Sequence, residues 1–383
     1  MLIEIKGVQF VNKGAELMLH AILQKAKAIW PDAEFCLAPN PLSPYLKRTD
    51  VGAFQKLGLK KNVLDLNSIF YFLPLSLRKK LKSKWGIVTE ADIDIVLDAS
   101  GFAYGDQWNT LILKQTAIEA RRLKRKNKHY IFMPQALGPF SSSANRAAAK
   151  KAFEASSIVF AREVESLANV NDCSKNTNVI LAPDFTNLVK AELKQEFEPF
   201  KDKIAIVPNS KMLSTKNKNT LWRQNYLSIL VKTINAYQDL GENVFLLNHE
   251  GKSDLNVCNE INSLLNSKLE VLSPDSSLDV KAVIGQSKAV VCSRYHGCVS
   301  ALSQGVPCLG TSWSHKYEKL FSEYGVSTML LTPELSNKSL EDFVRYSINE
   351  QALIKNTLEP KITEFKALSE QMWKKVTEVI NAT

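Results

Sequence analysis

Lys288-Ala-Val-Val-Cys-Ser-Arg294-Tyr295-His296-Gly297, followed by Cys298 to Gln304, Gly305-Val-Pro307 and Cys308-Leu-Gly-Thr311, is the stretch that decides the fold. Lys288 to Cys292 reads as a buried strand, Cys298 to Gln304 as a helix, and Cys308 to Thr311 as the next strand. Short apolar runs alternating with a helical segment mark a βαβ unit, and hence a parallel sheet. Arg294 and His296 then fall where the first strand ends, which is where open α/β sheets bind ligands. A guanidinium there can grip a phosphate or carboxylate in a fork of hydrogen bonds. An imidazole two residues on can move a proton at neutral pH. The competing reading is structural: Arg294 pairs with a nearby acid and His296 satisfies backbone carbonyls.

The same alternation continues outward in both directions. At the start, a strand of about Leu2 to Val8 passes through Asn12-Lys13-Gly14 into a helix of about Ala15 to Ile29. Leu17, Leu19, Ile22, Leu23 and Ala26 form one face of it. The free N–H groups and helix dipole of such a glycine-bearing turn favour an anion or polar ligand. There is no GxGxxG or P-loop, so an ordinary tight turn is the alternative. Ile93 to Asp98 is a buried strand leading into Ser100-Gly101. Ile158 to Ala161 places Arg162 just beyond a strand, as Arg294 is, and Val179 to Pro183-Asp184 closes the first half. The charged run Lys190 to Asp202 reads as a linker. The alternation then restarts with Ile204 to Val207 and Val244 to Leu247, the latter followed by His249-Glu250-Gly251 and Asp254.

These elements predict two Rossmann-like domains, residues 1–190 and 203–355, facing a cleft. A C-terminal helix within 356–383 is long enough to cross back onto the first.

The chain has 383 residues, a formal charge of +10 and a pI near 9.1, which suggests an acidic partner such as a phosphorylated metabolite, an anionic glycan or an anionic membrane surface. The charge is not in itself a nucleic-acid signature, and no nucleic-acid partner is expected. Cys36, Cys173, Cys258, Cys292, Cys298 and Cys308 lack CxxC spacing and lie mostly in apolar segments. They read as reduced and buried, which implies a cytoplasmic protein. No signal peptide, membrane-spanning run or metal-ligand cluster is expected. Within the irregular excursion 40–90, Ile69 to Leu77 is apolar and aromatic, and Arg78 to Trp85 is basic. Residues 69–85 therefore fit a peripheral contact with the inner face of a membrane. A core-packed helical hairpin with a solvated basic end is the other reading. No oligomeric state is legible.

In series, the motifs resemble those of the polysaccharide pyruvyl transferases. The matching pieces are Asn12-Lys13-Gly14-Ala15-Glu16, Ser100-Gly101, Gln135 to Pro139, Arg162-Glu163 with Ser166, and Pro183-Asp184. The most specific is Ser293-Arg294-Tyr295-His296-Gly297 through Ala301, Gly305, Pro307 and Lys316. The departures are Glu16 where an Asp one position earlier is more usual, Phe102 in place of a further glycine, and Trp313-Ser-His-Lys316 without the Tyr common before the lysine. They bear on specificity more than on fold. The resemblance implies a GT-B-like fold, as in the two-domain glycosyltransferases. It also implies transfer of pyruvate from phosphoenolpyruvate to a saccharide or lipid-linked saccharide as a cyclic ketal, in cell-surface or exopolysaccharide biosynthesis, with no cofactor beyond that donor.

Phosphoenolpyruvate carries a phosphate and a carboxylate, so Arg294, Arg162 and Lys316 are expected as cationic clamps, with Asn12, Gly14, Ser100 and Gly101 lining the site. His296 is the expected acid or base, with Asp184 or His249 handling the second proton. The rivals are a nucleotide-sugar glycosyltransferase or epimerase of the same architecture, and a noncatalytic assembly protein that docks on glycan or membrane.

Overall fold

The computed structural model describes residues 1–382 except Asn62, Val63, Asn176 and Trp313, so the Trp313 departure lies outside the described residues. In the first half the elements are β1 (Leu2–Lys6), α1 (Lys13–Ile29), β2 (Glu34–Leu37), α2 (Tyr45–Asp50), β3 (Ala53–Lys56), β4 (Lys60–Lys61), β5 (Leu64–Asp65), α3 (Leu75–Trp85), β6 (Ile87–Val88), β7 (Ile95–Asp98), α4 (Thr110–Lys124), β8 (His129–Gln135), α5 (Ser143–Ala155), β9 (Ile158–Ala161), α6 (Val164–Cys173) and β10 (Val179–Leu181). In the second half they are β11 (Ile204–Val207), α7 (Thr220–Asp239), β12 (Val244–Leu247), α8 (Gly251–Leu264), β13 (Val271–Leu272), α9 (Ser277–Gly285), β14 (Ala289–Cys292), α10 (Tyr295–Leu302), β15 (Cys308–Thr311), α11 (His315–Glu323), β16 (Leu330–Leu331), α12 (Asn337–Asn349) and α13 (Gln351–Asn381).

The chain divides into two compact units. The first contains an eight-stranded parallel sheet in the order β10-β9-β8-β7-β1-β2-β3-β6. The second contains a six-stranded parallel sheet, β13-β12-β11-β14-β15-β16. β7, β9, β11, β14 and β15 are buried throughout, which is why they read as unbroken apolar runs. In each sheet the strand order reverses once, between β1 and β7 and between β11 and β14. The carboxyl ends of strands at such a switch point open a crevice for ligands.

Several boundaries differ from the sequence expectation. Residues 190–202 are packed: Phe197 and Phe200 lie in the core of the second unit, with the Phe200 ring 4.9 Å from that of Phe245. Val11–Leu17 group with the second unit although α1 continues into the first. α13 starts at Gln351, and its residues from Leu368 on belong to the first unit, where Trp373 and Val376 are buried. α10 starts at Tyr295, so His296 and Gly297 occupy its first turn instead of a loop ahead of it. The cause is local, because a Cβ on Gly297 would come within 2.5 Å of Cys292 Sγ. Only glycine lets the helix begin so close to the strand it leaves.

Candidate functional site

In the second unit, the crossing from β14 to α10 is fixed by a buried polar hub. Ser293 Oγ accepts from Tyr226 and Thr311, each at 2.6 Å, and its carbonyl accepts from Asn209 Nδ2 at 2.8 Å and Tyr317 Oη at 2.9 Å. These partners come from α7, β15, the exit of β11 and α11. Four elements thus aim one peptide, and the residue after it, Arg294, caps α10 in an extended conformation.

Arg294 is 8 % exposed and is fully engaged. Its Nε and Nη2 fork onto the two oxygens of Asp254, at 2.8 and 2.6 Å, and Nη1 donates to Glu250. The Arg294 guanidinium therefore pairs with nearby acids. Both acids follow β12, and Glu250 caps α8. Glu250 also accepts from Asn12 Nδ2 at 3.2 Å, while Asn12 Oδ1 accepts from the Ala15 amide at 3.0 Å and so caps α1. At the start of α1 an added Cβ on Gly14 would lie 2.2 Å from His296 Nδ1, so the imidazole rests against the bare backbone of that turn. Lys13 reaches the Asp275 carbonyl, next to Ser276, which caps α9.

The N-termini of α1, α8 and α10 are thereby tied together through Asn12, Glu250, Arg294 and His296. Each helix start carries a partial positive charge, an arrangement that favours an anion. Burial raises the Glu250 carboxyl above 4.5, although Arg294 opposes the shift. Burial, then Arg294, His296 and Lys13, push His249 well below 6.5, so it is neutral at pH 7. His249 Nδ1, Asn248 Oδ1 and Ser277 Oγ are buried with no hydrogen-bond partner among the described residues. Orphaned polar atoms of this kind are uncommon in a merely structural interior. Lys316 Nζ stands 5.0 Å from the Tyr295 ring centre and 5.7 Å from that of Tyr317, and the Tyr295 ring meets His296 edge-on at 5.4 Å.

The second unit therefore gathers Asn12, Gly14, His249, Arg294, His296 and Lys316 from the sequence candidates. Ser100, Gly101, Arg162 and Asp184 belong to the first unit. Ser100 donates through both its amide and its hydroxyl to Asp98 Oδ1, at 3.1 and 2.5 Å, at the β1–β7 switch point. Arg162 is 8 % exposed and pairs with Asp184 at 3.3 Å and Glu163 at 3.6 Å. Glu250 and Asp254 were noted in sequence only as part of the loop beside His249. The signal that could have singled them out is physical: a buried strand-end arginine needs carboxylates, and these two acids follow the strand next but one to its own.

No curated protein matches the sequence. Among solved structures, the UDP-GlcNAc 2-epimerase of Neisseria meningitidis bound to UDP-GlcNAc is similar with a TM-score of 0.62 at 12% identity, covering 98% of this chain and 99% of that one. The UDP-GlcNAc 2-epimerase of Methanocaldococcus jannaschii gives 0.55 at 12% identity over 91% and 93%, and Anabaena HepE in complex with UDP-glucose gives 0.58 at 15% over 99% and 100%. At these identities the likeness establishes the fold, which is that of the GT-B glycosyltransferases and epimerases. The family model for polysaccharide pyruvyl transferase matches residues 12–315, a span that begins at the Asn12 cap and ends one residue short of Lys316, and the chain belongs to that family.

Proposed function

We propose that the protein transfers pyruvate from phosphoenolpyruvate to two hydroxyls of a saccharide, forming a cyclic ketal and releasing phosphate. The observation that carries this reading is the meeting of three helix N-termini around His296 and Arg294 within a member of this family. The donor is a small dianion or trianion, and it would be held by the amides at Lys13 and Gly14, by the N-termini of α8 and α10, and by Lys316. Arg294, its charge taken up by Asp254 and Glu250, holds the starts of α8 and α10 in register and so orients the site. We assign the saccharide to the first unit, where Ser100, Gly101, Arg162 and Asp184 lie.

In the reaction, a proton adds to C3 of the enol and C2 becomes electrophilic. One sugar hydroxyl attacks C2, the second displaces the phosphate, and the two hydroxyl protons balance those gained by C3 and by the phosphate. His296 moves the proton at the reacting carbon. His249, held neutral by burial and by neighbouring cations, resists taking up a proton, and Glu250, with its raised affinity for protons, is the better acceptor for the second one. Incubation of the protein with phosphoenolpyruvate and a panel of bacterial saccharides should release inorganic phosphate. Release of nucleotide from UDP-sugars, with phosphoenolpyruvate untouched, would favour the glycosyltransferase reading.

A further inference from the structure

We propose that the described residues of 57–61 and 64–85 form a docking surface for an anionic lipid bilayer. This inference does not depend on the reaction. Single exposed hydrophobics are ordinary, but clustered ones mark an interaction site. Of the 25 exposed large hydrophobic side chains among the described residues, nine fall in this short excursion from the first sheet. Phe72 is 87 % exposed, Trp85 55 % and Leu75 54 %. α3 buries none of its residues, so it contributes nothing to the core.

Its orientation is nevertheless fixed. Arg78 pairs with Asp92 and Lys82 with Glu34, one turn apart, and Lys82 lies 4.9 Å from the Phe54 ring centre. This i,i+4 pair turns one face of α3 to the protein. Lys79, Lys80 and Lys84 are exposed on the remainder. Lys126, from the end of α4, stands 5.1 Å from the Tyr71 ring centre and extends the basic rim. In sequence, 57–85 carries seven Lys or Arg and one acid, Asp65; with Arg78 and Lys82 paired to Asp92 and Glu34, five of the cations remain outside those two pairs. Exposed rings and leucines that can enter the acyl boundary, and exposed lysines in the same segment that can meet anionic headgroups, are the two components of interfacial binding. Among the described residues no helix is long and apolar enough to cross a membrane.

The charge also discriminates between occupants. A second copy docked symmetrically would set lysines against lysines. A soluble polyanion would use the lysines and leave Phe72 and Leu75 in water.

The test is flotation of the full chain with vesicles of phosphatidylcholine alone or of phosphatidylcholine with phosphatidylglycerol. The wild type should float with the anionic vesicles, less so at high salt, and not with the neutral ones. K79E/K80E should weaken binding by roughly twentyfold or more, at about fivefold per lysine lost from a charged surface. F72S/L75S should weaken it at unchanged charge; because both side chains are exposed, folding is not at stake. A wild type that stays with the soluble fraction overturns the proposal, as do variants that float like wild type. So does a F72S/L75S variant whose only change is loss of a dimer in sedimentation.

Discussion

Two of the buried charged networks among the described residues differ in balance. In the first unit Lys56, 7 % exposed, bridges Glu4 at 2.5 Å and Glu119 at 2.7 Å, and Lys6 reaches Glu119 at 2.8 Å. Two cations face two acids, and each side chain is held by its neighbours. Burial raises the Glu119 carboxyl, but Lys56, Lys6 and Lys60 outweigh it and hold the group well below 4.5. In the second unit Arg294 faces both Asp254 and Glu250, and polar atoms of Asn248 and His249 have no hydrogen-bond partner among the described residues. The first network is closed and serves the fold. The second carries an excess of carboxylate, so an anion beside it would be held by the amino ends of the three helices and by Lys316, with Arg294 only positioning them.

The largest expected contrast is catalytic. His296→Gln should lower phosphate release from phosphoenolpyruvate about 10²- to 10⁴-fold, the usual range for losing a general acid or base, with the melting temperature unchanged. Lys56→Ala should do the reverse. It leaves Glu4, 1 % exposed, without its cation, and should cost about 3–5 kcal/mol in urea unfolding while the residual folded enzyme keeps its kcat. If Lys56→Ala impaired catalysis per folded molecule, the closed network would not be purely structural.

Gly14→Ala should come next. Its methyl would overlap the His296 ring, and a displacement of that order should cost about 10²-fold in kcat with little change in stability.

The smallest effect is in pH dependence. His249 is held well below 6.5 when folded, so below about pH 6.5 the unfolded chain takes up a proton that the folded chain refuses, and stability falls with falling pH. The depressed His129 acts in the same direction, and Glu250, with a raised affinity for protons, acts in the opposite one. Subtracting the melting profile of His249→Leu from that of wild type should isolate a component lost as the pH falls from about 7 to 5. A pH-independent difference would show that His249 is not buried neutral.

Much of the fold was legible because parallel strands buried on both faces must be written as apolar runs, and β7, β9, β11, β14 and β15 are. Positions at strand ends, Arg294 and His296 after β14 and His249 after β12, were legible for the same reason. What the local pattern could not carry was pairing across the sheet. Asp254 and Glu250 precede Arg294 by 40 and 44 residues, and nothing local to Arg294 names them. The start of α10 was misplaced because Gly297, which reads as a helix breaker, is there for close approach to Cys292. Lys190 to Asp202 read as a linker because its charges conceal Phe197 and Phe200, the two side chains that pack. The basic run after Ile69 admitted two readings: α3 buries none of its residues, while Phe70 just ahead of it is buried.

The most direct measurement is a calorimetric titration of the purified chain with phosphoenolpyruvate and, separately, with UDP-GlcNAc and UDP-glucose. The account predicts saturable binding of phosphoenolpyruvate, weakened in Arg294→Ala, and none of either nucleotide sugar. Saturable binding of a nucleotide sugar with no response to phosphoenolpyruvate would contradict it.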